Sequence, residues 1–406
     1  MSRLTDRIEK EIVIYDGSKG SVLMAHGLMS GEDADIWCVD HPDVVRKLHE
    51  DYIKAGSGAI QTNTFMANEM SLKEYGLSER TEEINRAGAR LALEAAGDKA
   101  DVAASVGPLP KLMRPYGDLS VRDAVKVYER QLRALMSAGI ETVHFETFTD
   151  LAMMRAALIA ARNTGITAIA TLSFDQGRTL AGNTPEACAV TLKALGARAV
   201  GANCSGGPDS LMDPIKRMNS VAGIPLIVKP NAGLPRKEGD RLVYSMGPED
   251  FRKDAVGFIN NGVRLIGGCC GTDAAFIKAL SEELGGITAP AIEEKEELIA
   301  SPYKAGRVPD ELLSVNVTGG DDPYDVMDEA GDEAVLLCFS DIGPEEASSF
   351  MLDLSVIYKD PVVIKAADDK VFEAVLRDYP GRAGAVPVNA GQEKAAAEFG
   401  ALVVSE

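Results

Sequence analysis

Eight short apolar runs, each followed by a helical pattern, constrain the fold of this chain more than any other feature. The runs span residues 12–17, 59–65, 101–108, 142–148, 167–174, 199–206, 225–233 and 264–272. They are rich in β-branched residues and carry Gly, Asn, Thr or Ser at or near their ends. Amphipathic stretches, among them 121–138, 151–161 and 185–195, lie between them. Apolar strands alternating with helices predict an α/β fold, a parallel sheet covered by helices. Eight such units predict a closed (β/α)8 TIM barrel. The competing architecture, a doubly wound open sheet, wants a glycine-rich phosphate loop after its first strand. Asp16-Gly17-Ser18-Lys19-Gly20 is too short for that and lacks the spacing.

Polar residues gather where the runs end: Asp16, Thr62, Asn63, Glu146, Ser173, Cys204, Asn231, Cys269 and Cys270. In a barrel, these strand ends form the face that carries chemistry. At 406 residues the chain exceeds what one core usually serves, so a second, smaller unit is expected. Residues 1–287 are assigned to the barrel and 288–306, rich in Glu and Pro, to a linker. Residues 307–406 then form a small α/β domain. Its strand-like runs fall at 334–339, 361–365, 383–388 and 401–404, with helical patterns at 344–356 and 369–376.

The net charge of −20 argues against nucleic acid or anionic lipid as a partner, since both are polyanions. No run approaches the roughly 18 apolar residues of a membrane span. The first residues carry charge with no apolar segment behind them, so no signal peptide is expected. Six cysteines in so long a chain are not a disulfide framework, and a reducing cytoplasm is the natural reading.

Cys269 and Cys270 stand between glycines in Gly267-Gly268-Cys269-Cys270-Gly271-Thr272, and Cys204 lies upstream in Gly201-Ala202-Asn203-Cys204-Ser205-Gly206-Gly207. Cys204 shares strand parity with Val200 and Ala202. Cys269 and Cys270 cannot both point inward from a regular strand, so the chain must bend there, and the flanking glycines permit it. Three thiolates at one end of a barrel supply three corners of a tetrahedron. Zinc favours such soft ligands, and three protein ligands with an open fourth position is the catalytic pattern. Cys38, Cys188 and Cys338 read as small buried hydrophobes. His144 shares parity with Glu146 and reads as a hydrogen-bonded core residue.

Taken in order, these motifs resemble the homocysteine S-methyltransferase family, in particular the homocysteine-binding barrel of cobalamin-dependent methionine synthase. The resemblance covers about residues 10–285. It rests on Asp16-Gly17, Gln61-Thr62-Asn63-Thr64-Phe65, Val106-Gly107-Pro108 and Glu146-Thr147. It continues through Ser173-Phe174-Asp175 with Gly177-Arg178-Thr179-Leu180-Ala181-Gly182, Gly201-Ala202-Asn203-Cys204, Pro230-Asn231-Ala232-Gly233-Leu234-Pro235 and the vicinal-cysteine motif. It implies Zn²⁺ held by Cys204, Cys269 and Cys270, with the substrate thiol as fourth ligand, methylated while bound. It implies that Asp16 and Glu146 hold the amino group of the amino-acid substrate, helped by Gly17 and Thr62. Asn231 is assigned to the open zinc position in the absence of substrate. One departure stands out: Ser18-Lys19 replaces the Ala and Met usual in the family. Lys19 beside an anionic metal site is suited to a carboxylate or to a changed acceptor.

Residues 307–406 are similar to the early part of the pterin-binding barrel that follows the homocysteine barrel in that family, with altered strand ends. They read as a remnant kept for packing or partner docking. No Asp-x-His-x-x-Gly cobalamin motif occurs in the sequence, so a corrinoid donor is expected on a separate protein. The expected function is zinc-dependent transfer of a methyl group, from a corrinoid protein or another donor, to homocysteine or a related small thiol in methionine synthesis. Two alternatives are a methyltransferase of methyl-compound catabolism with a different acceptor, and a non-catalytic zinc- or thiol-binding subunit of a larger methyltransferase.

Overall fold

The computed structural model describes residues 2–29, 31–238, 241–330 and 334–405. Eight parallel strands form the larger unit: β1 (Val13–Ile14), β2 (Ala59–Gln61), β3 (Asp101–Val106), β4 (Thr142–Phe148), β5 (Thr167–Leu172), β6 (Val200–Cys204), β7 (Leu226–Pro230) and β8 (Val263–Ile266). They pair in the order β1-β8-β7-β6-β5-β4-β3-β2. The remaining seam, between β1 and β2, is bridged by two hydrogen bonds. Gly58 N–H donates to Ile14 O at 2.8 Å, and Gln61 N–H donates to the Asp16 carboxylate at 2.7 Å. A catalytic-face side chain thus completes the ring.

Strand alternation divides the barrel interior into layers. The lower layer is apolar and includes Val13, Ala59, Ala103, Ile169, Ala199, Ile227 and Leu265, all buried. Leu4 and Ile8, from the N-terminal helix Arg3–Ile8, plug it from below. Each fully buried Val, Leu or Ile side chain contributes about 1.5–3 kcal/mol. Two residues further along the strands, on the same face, stand Gln61, Ser105, Thr171 and Lys229, with His144 beside them on β4. The upper layer is therefore polar, and it is buried too.

The opposite strand face packs on helices such as Val121–Met136 and Leu151–Thr164, which bury their apolar stripes. Ser120 and Asp150 cap these two helices by accepting from Asp123 N–H and Ala152 N–H.

The smaller unit is a five-stranded parallel sheet in sequential order: β9 (Leu313–Val317), β10 (Val335–Phe339), β11 (Val363–Ala366), β12 (Gly384–Ala385) and β13 (Leu402–Val403). The four strands expected from the apolar runs are present. β9 is an addition; it is an edge strand with alternating half-buried and exposed residues, a weak signal over five positions. An antiparallel hairpin, Pro235–Glu238 with Arg241–Tyr244, follows β7 and was likewise not anticipated. The sequence between the units is also structured. Ile299–Ala300 pairs with Ala305–Gly306, and Ala300 exchanges backbone hydrogen bonds with Arg382. The buried Arg155 reaches across from the barrel to donate to Gly381 O at 2.6 Å and Leu376 O at 3.0 Å. Among the described residues, no helix is long and apolar enough to cross a membrane.

Candidate metal centre and its polar floor

The ligand atoms of Cys204, Cys269 and Cys270 all lie within 4.8 Å of one another. Three thiolates on a tetrahedral zinc with ~2.3 Å bonds would stand about 3.8 Å apart, so the donor set fits that ion in type and spacing. Cys204 reaches the cluster against its strand parity. Val200 and Ala202 pack outward into the core between strands and helices. A regular continuation would carry Cys204 the same way. Its backbone φ of 62° turns it instead, and Ser205 follows at 66°. Such values are uncommon for non-glycine residues and gather where a site demands them.

Cys269 and Cys270 lie beyond β8, where the chain leaves the strand. Cys269 N–H donates to Pro230 O at 2.7 Å, and Cys270 O accepts from Ala232 N–H at 2.9 Å. Gly271 follows with φ of 80°, and the Tyr244 ring would stand 2.3 Å from any Cβ there. The expected bend is thus held by β7 on one side and by the hairpin on the other. The Tyr244 hydroxyl also hydrogen-bonds the Cys270 sulfur.

Two asparagines serve the sulfurs. Asn231 Nδ2 faces Cys204 Sγ at 3.7 Å, while its Oδ1 accepts from Cys270 N–H at 3.0 Å. Asn203 Nδ2 faces Cys269 Sγ at 3.8 Å. Hydrogen bonds from Cys269 and Cys270 hold the Cys204 thiol down at about 3, and Cys270 in return is pushed up to about 11. Cys269 is likewise pushed well up, chiefly by its hydrogen bond to Cys204, so one thiolate is favoured at the expense of its two neighbours. Cys38 and Cys188 are raised for a different reason: burial pushes both thiols up.

Below the cluster, the polar layer forms one connected network. Lys229 Nζ lies 2.9 Å from Asp16 Oδ1 and also donates to Gln61 Oε1. Gln61 Nε2 donates to Glu146 Oε1 at 2.7 Å and lies 3.0 Å from His144 Nδ1. Ser105 Oγ also donates to Glu146. His144 Nε2 meets Thr171 Oγ1 at 2.9 Å, and Thr171 donates to Asn203 Oδ1 at 2.7 Å. Asn203 returns to the sulfurs. Burial would raise the Glu146 carboxyl, but Lys19, Lys229 and His144 outweigh it and hold it at about 2. A register shift in β4 lies between Phe145 and Phe148, where Thr147 has φ of 66°. There Thr147 N–H donates to Asn203 Oδ1 at 2.8 Å.

The site residues named from sequence do not all meet. The three cysteines and Asn231 cluster at the strand ends. Asp16 and Glu146 join the floor network. Thr62 is spent elsewhere: its Oγ1 accepts from Ser105 N–H at 3.1 Å and shares a hydrogen bond with Thr64. Gly17 packs so closely on Tyr52 and Thr272 that a Cβ would stand 2.8 Å from the Tyr52 hydroxyl. Sequence reasoning missed Lys229, Gln61, Ser105, Thr171 and Asn203. For the first four the available signal was a polar residue two positions after an apolar interior one, Ala59, Ala103, Ile169 and Ile227.

The homocysteine S-methyltransferase family model matches residues 13–284. A methionine synthase from Mycobacterium tuberculosis is 28% identical over 325 residues, covering 74% of this chain and 27% of that protein. The chain thus spans about a quarter of the length of that curated relative. Among solved structures, the metallated form of the homocysteine methyltransferase MmuM from Escherichia coli aligns with a TM-score of 0.58 at 20% identity. That alignment covers 69% of this chain and 98% of that one. Its oxidized form gives 0.56 at 23% identity, over 67% and 95%. At these identities the two structures speak to the fold.

Proposed function

Because this chain belongs to the homocysteine S-methyltransferase family, we propose that it methylates the sulfur of homocysteine at the Cys204–Cys269–Cys270 centre. The observation that carries the reading is the convergence of three cysteines from two strand ends, one of them through a strained backbone. Cys204, Cys269 and Cys270 would hold Zn²⁺, which supplies a lowered pKa for an incoming thiol that is otherwise mostly protonated at neutral pH. Asn203 and Asn231 orient the sulfurs. Glu146, ionised at neutral pH, attracts the ammonium of the acceptor. Asp16, with both oxygens engaged, holds Lys229 and the β1–β2 seam.

The donor we infer is a methyl-corrinoid on a separate polypeptide. Every large apolar side chain that is exposed in the barrel unit, among the described residues, lies in the connection that follows a barrel strand, including Met24 on the short helix Lys19–Ala25 and Val243 on the hairpin. Examples are Met29 at 67% exposure, Leu112 at 67%, Leu180 at 89% and Leu234 at 69%. These loops ring the catalytic face. An apolar rim there suits a large partner more than a small, fully enclosed donor.

The test is direct. Purified protein is expected to carry about one zinc per chain, and Cys269→Ala to lose it with the fold retained by circular dichroism. Homocysteine is expected to shift the X-ray absorption spectrum from three sulfur neighbours toward four. It should also accept methyl from free methylcobalamin. A folded protein that takes up no zinc rejects the centre, and an unchanged sulfur shell rejects homocysteine as acceptor.

A further inference from the structure

We propose that Lys19 binds the α-carboxylate of the acceptor and, until the acceptor arrives, occupies the seat of its ammonium beside Glu146. The proposal rests on the homocysteine reading above and deepens it.

Two lysines enter the polar layer, and they are held differently. Lys229 is sealed at 1% exposure, 2.9 Å from Asp16 Oδ1 and 4.4 Å above the Tyr15 ring. Asp16 spends its other oxygen on Gln61 N–H. That pair is closed to a ligand. Lys19 is rooted in the rim, on the first residue of the helix Lys19–Ala25, and its side chain keeps 10% exposure. Its Nζ stands 3.9 Å from Glu146 Oε1 and 3.4 Å from Gln61 Oε1. Both contacts are longer than a charge-assisted hydrogen bond of about 2.7–2.9 Å. The ammonium of Lys19 is therefore near Glu146 without being well bound to it.

Charge balance indicates what displaces it. Asp16 with Lys229, and Glu146 with Lys19, make two balanced pairs. Three thiolates around a divalent cation leave the neighbouring centre net negative. An α-amino-acid thiol brings an ammonium and a carboxylate on one carbon. Glu146 attracts the ammonium. The carboxylate then stands beside Glu146, with the net negative centre close by, and it needs a cation. Lys19 is the loosely held one. Asp35, also close to Lys19, is pushed by burial up to about 8, so its carboxyl is mostly neutral near pH 7 and competes little. Moving Nζ from Glu146 to the entering carboxylate exchanges one long ion pair for two short ones, with no change in net charge and no bond made or broken. In a site shielded from water such pairs are strong.

Calorimetric titration of the zinc-loaded full chain tests this with three thiols. They are homocysteine, 3-aminopropane-1-thiol (which lacks the carboxylate) and 4-mercaptobutanoate (which lacks the amine). Lys19→Met is expected to weaken homocysteine roughly 10- to 100-fold, the effect of losing a hydrogen bond to a charged group. It should leave 3-aminopropane-1-thiol unchanged or bound more tightly, because Glu146 is freed. Lys19→Arg should retain most of the homocysteine affinity. Equal weakening of both amines, or unchanged homocysteine binding by Lys19→Met, overturns the role of Lys19 and leaves the homocysteine reading standing. Wild-type protein that binds 4-mercaptobutanoate but not homocysteine overturns the acceptor assignment, and the proposal with it.

Discussion

Two histidines sit in the barrel unit out of water and uncharged. Burial, the largest cause in each case, lowers His49 to about 4 and His144 to about 3 from the ordinary 6.5. An unfolded chain binds protons at these positions from about pH 6.5 downward, while the folded one resists until near pH 4. Stability is therefore complete above pH 6.5 and is lost as pH falls through that window. His49 has no hydrogen-bond partner on either ring nitrogen among the described residues, so its neutral state rests chiefly on burial, with the Lys19 charge adding to it. We expect the melting temperature to fall between pH 6.5 and 4, and His49→Leu to flatten that slope by roughly 2–3 kcal/mol. A slope unchanged in the variant, followed by thermal unfolding at several pH values, refutes the assignment. Individual residues were the hardest part of the site to read from sequence. Cys204 is an example: its strand parity points outward, and only a positive φ, invisible in the sequence, brings it to the cluster. Lys229 was similarly hidden, because a lone lysine in an apolar strand shows no partner until Asp16 is folded against it.

Single elements are set by how closely β6 and β7 approach. A Cβ on Gly201 would stand 1.8 Å from Ile227 O, so no side chain fits there without prising the two strands apart. β6 carries Asn203 and Cys204, and β7 leads to Asn231. Gly201→Ala is accordingly expected to cost about 2 kcal/mol or more and to lower zinc occupancy together with the melting temperature. Full zinc retention in a variant that melts normally contradicts this account. All eight barrel strands were legible as apolar runs because buried parallel strands are apolar on both faces. The hairpin after β7 escaped, because Pro235-Arg236-Lys237-Glu238 has no apolar alternation, although the sequence pair Gly239-Asp240 that follows is of the kind that joins hairpins. Its Tyr244 is nonetheless the side chain that closes over Gly271 and touches Cys270.

At the scale of the molecule, the smaller unit is joined to the barrel through buried polar contacts. Arg155 is 2% exposed, and the acceptors for its guanidinium, Gly381 O and Leu376 O, belong to the other unit. Deleting residues 307–406 removes those acceptors and opens the joint to water. The shortened protein is expected to melt about 5 °C or more below the full chain, since bonds to a charged group contribute about 1.5–3 kcal/mol each. An unchanged melting temperature would show the two units to be independent. The order of the strands has a consequence in time. Cys204 ends β6, but its two companions follow β8, the strand that pairs with β1 and β7 and completes the run of paired strands. As the chain emerges from synthesis, Cys204 is at first a solitary thiol with little hold on any ion. The three thiols meet only once the last strand has docked against β7. If the centre takes zinc as proposed, capture would wait for that docking, and a half-made barrel would offer the ion only one of the three thiols.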